Sequence, residues 1–304
     1  MAEKRPEPIV AVGTIALDTV ITPWGKAENV LGGSGMYFAV AASILAPVNL
    51  VGVVGEDFDH WEELNRPNLD LEGVATLPGK TFRWGGKYRE NVNLRETLYT
   101  ELGVTENYDL QVPESYRGCG MVCLANIDPP TQLKLLDSMR NPNFVVADTM
   151  NLWIKSDREN LLEVAGRCDV LILNDEEARQ LTGKLNLVEA LEEIQGLGSR
   201  TVVVKKGDHG AIAALGSELF AIPAYPLKKV VDPTGAGDSF VGGFAGYIQR
   251  AGSRSHAAMR TAVVYGSAMA SFCCEDFSIR RIKDLSLAEL EARVEFFRKL
   301  VHFD

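Results

Sequence analysis

Apolar residues in this chain gather into short, almost unbroken runs, with longer stretches of helical spacing between them. The runs at 9–13, 48–54, 121–125, 144–147, 170–173 and 201–204 are rich in Val, Ile and Leu. Runs of this length without polar alternation predict strands buried on both faces. The segments between them predict helices, among them an Ala-rich one from Gly32-Gly33-Ser34-Gly35 to about Ala46. Three more helices are predicted near 235–250, 254–273 and 286–301. Alternation of this kind predicts a mostly parallel central sheet flanked by helices, a three-layer α/β architecture.

Two early segments break that rhythm. Residues 17–31 alternate around Pro23-Trp24-Gly25, as a hairpin does. Within 79–103, Thr81-Phe82-Arg83-Trp84 and Leu98-Tyr99-Thr100-Glu101 are strand-like and flank polar turns. Together they predict a small separate sheet. The expected organisation is one domain over 1–304, with a β-sheet lid contributed by about 17–31 and 79–103. Open parallel sheets bind ligands beyond the carboxyl ends of their strands, and most polar motifs fall at such ends.

Composition narrows the function. The chain has 304 residues, 46% of them hydrophobic and 24% charged, which is ordinary for a globular protein. A formal net charge of −10, with no basic run to offset it, argues against nucleic acid or an anionic membrane as partner. No apolar stretch is long enough for a signal peptide or a membrane span, so a cytoplasmic location is expected. The cysteines, Cys119, Cys123, Cys168, Cys273 and Cys274, are odd in number and form no C-x-x-C pair, which suggests reduced thiols. His60, His209, His256 and His302 have no metal-ligand spacing.

The most informative string is Asp232-Pro233-Thr234-Gly235-Ala236-Gly237-Asp238, running into Ser239-Phe240-Val241-Gly242-Gly243-Phe244. Three small residues before an apolar run predict a helix N-terminus with bare N–H groups. Unpaired donors and the positive end of the helix dipole both attract anions there. Asp238 falls in the first turn, and a fixed carboxylate beside phosphate-binding amides suits phosphoryl transfer to a hydroxyl. The same string also reads as a capped helix after a Pro-containing turn. As a whole it resembles the C-terminal signature of the ribokinase-like (PfkB) carbohydrate kinase family, in its leading Asp, small triplet, closing Asp and small-residue helix. The resemblance runs from Gly13 to about Phe272. It implies the ribokinase-like fold and transfer of the γ-phosphate of ATP to a hydroxyl. Asp238 would be the catalytic base, with the amides of Gly235, Ala236 and Gly237 around the phosphate.

Other segments fit the same resemblance. Gly32-Gly33 is similar to the family's N-terminal glycine motif, and Asp18 stands where relatives hold substrate hydroxyls with a carboxylate. Tyr37 occupies a position where many members have Asn, so its contact to the acceptor must differ. Asn126, at a strand end, is a further substrate candidate and equally a turn residue. Asp148-Thr149-Met150-Asn151 partly resembles the Asp-x-Asn-Arg segment of sugar-acid kinases, but lacks the Arg. Asn174-Asp175-Glu176-Glu177 matches the family's Asn-x-x-Glu motif, implying Mg²⁺ bound largely through water. Asn174 and Glu177 also suit a helix cap and its capping box, and both roles are compatible. Lys205-Lys206-Gly207-Asp208-His209-Gly210 resembles the nucleotide loop, which implies ATP contacts from Lys206, Gly207 and Gly210, with Thr234 and Gly237 near the phosphates. The helix ending Ala270-Ser271-Phe272 is expected to wall the adenine pocket. Asp232 and Thr234 fall where relatives hold a monovalent cation such as K⁺.

Rival motifs are incomplete. Gly79-Lys80-Thr81 ends like a Walker loop, but Val74 stands where its first glycine belongs. Neither a G-x-G-x-x-G after the first strand nor a G-x-S-x-G elbow is present. The expected acceptor is the hydroxymethyl group of a sugar, with a nucleoside as the alternative through stacking on Tyr37, Phe82 or Trp84. A non-catalytic sugar- or nucleotide-binding sensor is the reading from another class. The lid is also where this family can form a homodimer clasp.

Overall fold

The computed structural model describes residues 6–302. Among these residues, thirteen strands form two sheets. In chain order they are β1 (Ile9–Val12), β2 (Ala16–Thr22), β3 (Gly25–Gly32), β4 (Val48–Gly55), β5 (Leu69–Leu77), β6 (Phe82–Tyr88), β7 (Arg95–Glu101), β8 (Met121–Leu124), β9 (Phe144–Asp148), β10 (Val170–Asn174), β11 (Thr201–Lys205), β12 (Ala211–Leu215) and β13 (Glu218–Ile222). The large sheet has the order β13-β12-β11-β10-β9-β8-β1-β4-β5, and the small one β3-β2-β6-β7. From β5 to β11 the large sheet is parallel; β12 and β13 close one edge antiparallel.

Burial on both faces explains the unbroken apolar runs. Ile9 and Ala11 of β1 join one core with the helices Ser34–Ser43, Ala236–Ala251 and His256–Cys273. Val10 and Val12 point the other way, into a second core with the helices Pro129–Ser138, Arg158–Arg167, Asp175–Thr182 and Leu187–Gln195. Side chains alternate across a strand, so one run of residues feeds two cores.

Three strands lie outside the sequence expectation. β5 alternates half-buried and exposed positions over Leu69–Glu72 at the sheet edge, with Asp70 and Glu72 facing out, so its polar residues hide the strand. β12 is Ala-rich and makes an antiparallel hairpin with β11, which turns the Lys206–Gly210 segment into a hairpin loop. β13 follows as the outermost strand, with most of its residues exposed or half-buried. In the lid, β2 and β3 form the expected hairpin, and β6 pairs parallel with β2 and antiparallel with β7. Val20, Ala27 and Tyr88 of the lid pack with Phe277, which follows the helix His256–Cys273, into a small third core.

Candidate active site

The carboxyl ends of the parallel strands open onto a cleft of about 1800 Å³, roughly the size for two substrates side by side. Its floor is the turn before the helix Ala236–Ala251. Gly235 is the N-cap at φ 74°, a left-handed conformation, and a Cβ there would lie 2.3 Å from the Tyr37 ring. Glycine is required on both counts. No side chain caps this helix, so its first amides depend on other partners. Ala236 N–H donates to Pro233 O at 3.2 Å, closing the turn. Of the three amides, those of Gly235 and Gly237 have no acceptor among the described residues, so the expected trio of free donors is reduced to two. The turn is braced by Asp232, which is fully buried: its carboxylate accepts Thr234 N–H at 2.8 Å and Ser278 N–H at 3.4 Å. The Thr234 hydroxyl donates to Tyr88 OH of the lid at 3.2 Å.

Asp238 follows in the first turn and lines the cleft. Burial, reinforced by Asp148 and opposed by Lys205, pushes its carboxyl up to about 6. Sequence reasoning missed the charged pair beneath it. Lys205 Nζ, at the end of β11, lies 3.1 and 3.2 Å from the Asp148 carboxylate at the end of β9. A Cβ on Gly237 would lie 3.2 Å from Nζ, so the ammonium sits directly under the turn. Burial works against this ammonium, but Asp148, Glu177 and Asp238 outweigh it and hold the pKa above the usual lysine value. Burial in turn pushes Asp148 up against the pull of Lys205. The available signal was register: Lys205 is the last residue of a buried strand and pairs with Asn174 of β10.

Asn174 and Glu177 form a complete capping box on the helix Asp175–Thr182. Asn174 Oδ1 accepts Glu177 N–H at 2.8 Å, and Glu177 Oε2 accepts Asn174 N–H at 2.7 Å. Burial pushes Glu177 up to about 7, with Lys205 pulling down and Asp148 pushing up. Both residues line the cleft, and one carboxylate oxygen of Glu177 is left for a ligand. Among the described residues no cluster of three or more His, Cys, Asp or Glu could hold a metal alone.

Asp18, on β2, is 3% exposed and borders the cleft at its far end. Burial, with Asp232 and Asp238 nearby, pushes it up to about 8, and the Gly33 amide pulls the other way. Its Oδ1 has no hydrogen-bond partner. A Cβ on Gly32 would lie 1.9 Å from Asp18 Oδ2, so the glycine makes room for this carboxylate. Gly33, at φ 90°, leads into the helix Ser34–Ser43. The Ser34 hydroxyl donates to Asn126 O, and Trp153 Nε1 donates to Asn126 Oδ1 at 2.9 Å. Asn126 therefore reaches the cleft as part of a fixed wall with Trp153 and Met150. Tyr37 differs from expectation. It is 1% exposed, its ring is covered by the Gly235 turn and its hydroxyl has no partner, so it gives a nucleobase no face to stack on. Phe82 and Trp84 of the lid line the cleft as expected.

At the opposite end, Gly207 (φ 57°) and Gly210 (φ 85°) shape the β11–β12 loop, and Lys206 N–H donates to Gly210 O at 2.7 Å. Lys206 lines the cleft with Ala270 and Ser271 of the helix His256–Cys273, where the adenine wall was expected.

Comparison with known proteins agrees with this fold. The description "pfkB family carbohydrate kinase" matches residues 18–283. A cytidine kinase of Thermococcus kodakarensis is 33% identical over 249 residues, covering 79% of this chain and 88% of that protein. The crystal structure of a Methanocaldococcus jannaschii nucleoside kinase, an archaeal member of the ribokinase family, superposes with a TM-score of 0.78 at 22% identity, covering 96% of this chain and all of that one. A putative ribokinase II of E. coli in complex with ATP and Mg²⁺ superposes with a TM-score of 0.77 at 18% identity, over 95% of this chain and 99% of that one. No helix among the described residues is long and apolar enough to cross a membrane. Because the family match runs through every motif gathered around the cleft, the chain belongs to the pfkB family of carbohydrate kinases and is a phosphotransferase acting on the hydroxyl of a sugar or nucleoside.

Proposed function

We propose that this chain is a nucleoside kinase that moves the γ-phosphate of ATP to the ribose hydroxymethyl group. The observation that carries this choice over a free sugar is the acceptor end of the cleft. Beyond the carboxylate of Asp18 the lining continues through Phe82, Trp84, Ile127, Met150 and Trp153. A free sugar needs the polar grip alone, whereas a base attached to the ribose also needs an apolar wall. The cytidine kinase likeness supports the same choice.

The chemistry follows from the floor of the site. Two ribose hydroxyls donate to Asp18, satisfying its orphan Oδ1, and this fixes the ring with its hydroxymethyl group toward Asp238. Asp238 accepts the proton of the attacking hydroxyl. In a loose transfer that proton leaves late, so position matters more than basicity. The free amides of Gly235 and Gly237, with the Lys205 charge beneath, stabilise charge growing on the γ-phosphoryl oxygens. The hard oxygen left on Glu177 and the absence of a full ligand set fit a Mg²⁺ held mainly by water and the triphosphate. When bound, that ion neutralises charge on the β- and γ-oxygens. K⁺ fits the same reading: the Asp232 carboxylate is fully buried and pairs with no Lys or Arg among the described residues, a charge that a cation beside Asp232 and Thr234 would balance. The lid over the acceptor end excludes water from the transfer.

The test is a panel of nucleosides, pentoses and hexoses with ATP and Mg²⁺, scored by phosphorylated product. A nucleoside should give the highest kcat/KM. A free sugar preferred over every nucleoside contradicts the proposal, and no product with any acceptor favours a sensor.

A further inference from the structure

Phosphoryl transfer spreads negative charge over three oxygens midway between the substrates, where a cation free to turn toward them has most effect. On the floor, Lys205 is tied to Asp148. The lid brings another cation. Arg95 begins β7 and lies opposite Tyr88 in the β6–β7 ladder. Side chains of paired residues leave the same face of a sheet, and the Tyr88 side chain on that face is the one that meets Thr234 of the floor turn. Arg95 accordingly lines the cleft. Its guanidinium lies 5.3 Å from the centre of the Trp84 ring, is exposed, and pairs with no carboxylate among the described residues. Its charge is felt by both Asp238 and Glu177, drawing each carboxyl downward. The loop before it is attached to the nucleotide end of the cleft: Asn93 Nδ2 donates to Asp208 Oδ1 at 3.1 Å. The lid tip therefore spans the floor turn and the nucleotide loop, with an uncommitted guanidinium between them.

Resting on the kinase reading above, we propose that Arg95 is a catalytic residue carried by the lid, whose guanidinium contacts the γ-phosphoryl group during its transfer. In that step the bond from the γ-phosphorus to the bridging oxygen of ATP breaks and a bond to the acceptor oxygen forms. The acceptor proton passes to Asp238. Arg95 stays protonated throughout and supplies charge and N–H donors only.

The experiment compares wild type, Arg95→Gln and Arg95→Ala with ATP, Mg²⁺ and the acceptor that wild type uses best. Should that acceptor be a sugar, the nucleoside reading fails while Arg95 is still tested. Arg95→Gln should lose about a hundredfold in kcat, with the acceptor KM within about threefold of wild type. Added guanidinium ion should raise turnover of Arg95→Ala by about tenfold and leave wild type unchanged. A role confined to packing on Trp84 would raise the acceptor KM and give no rescue. That result, or a kcat for Arg95→Gln within about threefold of wild type, overturns the assignment.

Discussion

Three acidic side chains at the cleft, Asp18, Glu177 and Asp238, are pushed up to about 8, 7 and 6, and burial is the first cause in each. What separates them is the Lys205 ammonium, which pulls on Glu177 and Asp238. A base at Asp238 works only when ionised, so kcat at saturating acceptor should fall as pH drops through about 6. Lys205→Met removes the downward pull and should move this acid limb upward by about one pH unit in a pH–rate profile. An unmoved limb would separate Lys205 from the base. The double variant Asp148→Asn with Lys205→Met removes the Asp148 charge that Lys205→Met strands without its partner, and should be more stable to denaturant than Lys205→Met alone. Sequence made Asp238, Asp18 and Glu177 legible because their motifs are local. The Lys205–Asp148 pair was not, since it joins the ends of β9 and β11, 57 residues apart. Stacking on Tyr37 was misjudged for a related reason: nothing near it in sequence says that the Gly235 turn will cover its ring.

Among elements, the helix Ala236–Ala251 carries the site, and its two ends make a controlled comparison. Gly235 at its start and Gly252 at its end both have positive φ, 74° and 59°. Only Gly235 is also crowded, since nothing lies within 4 Å of a Cβ at Gly252. Gly252→Ala should cost about 1 kcal/mol of stability, from the left-handed backbone alone. Gly235→Ala adds overpacking against Tyr37 and should cost roughly 3 kcal/mol, with loss of turnover. Denaturant unfolding of the two variants checks the difference, and equal costs would mean that the turn does not press on Tyr37. The buried strands were legible from their apolar runs, as were the helix starts from their glycine and Asx signals. β5 and β13 escaped because edge strands tolerate Asp and Glu, and β12, although buried between β11 and β13, because its Ala-rich run lacks the β-branched residues that mark a strand.

For the whole molecule, a net charge of −10 coexists with a site built for triphosphate. The cations and free amides are concentrated at one edge of the sheet: Lys205 and Lys206 at the end of β11, Arg95 on the lid, and Gly235 and Gly237 at a helix start. A parallel sheet brings these ends together whatever the overall charge, and the lid adds a wall from residues far away in the chain. The central claim is that this assembly binds ATP and uses Asp238 to accept the acceptor's proton. Its most direct test is Asp238→Asn, assayed for turnover with the best acceptor and, by calorimetry, for ATP affinity. Turnover should fall on the order of a thousandfold or more while ATP binds about as well as to wild type. Near-normal turnover in Asp238→Asn would contradict the account.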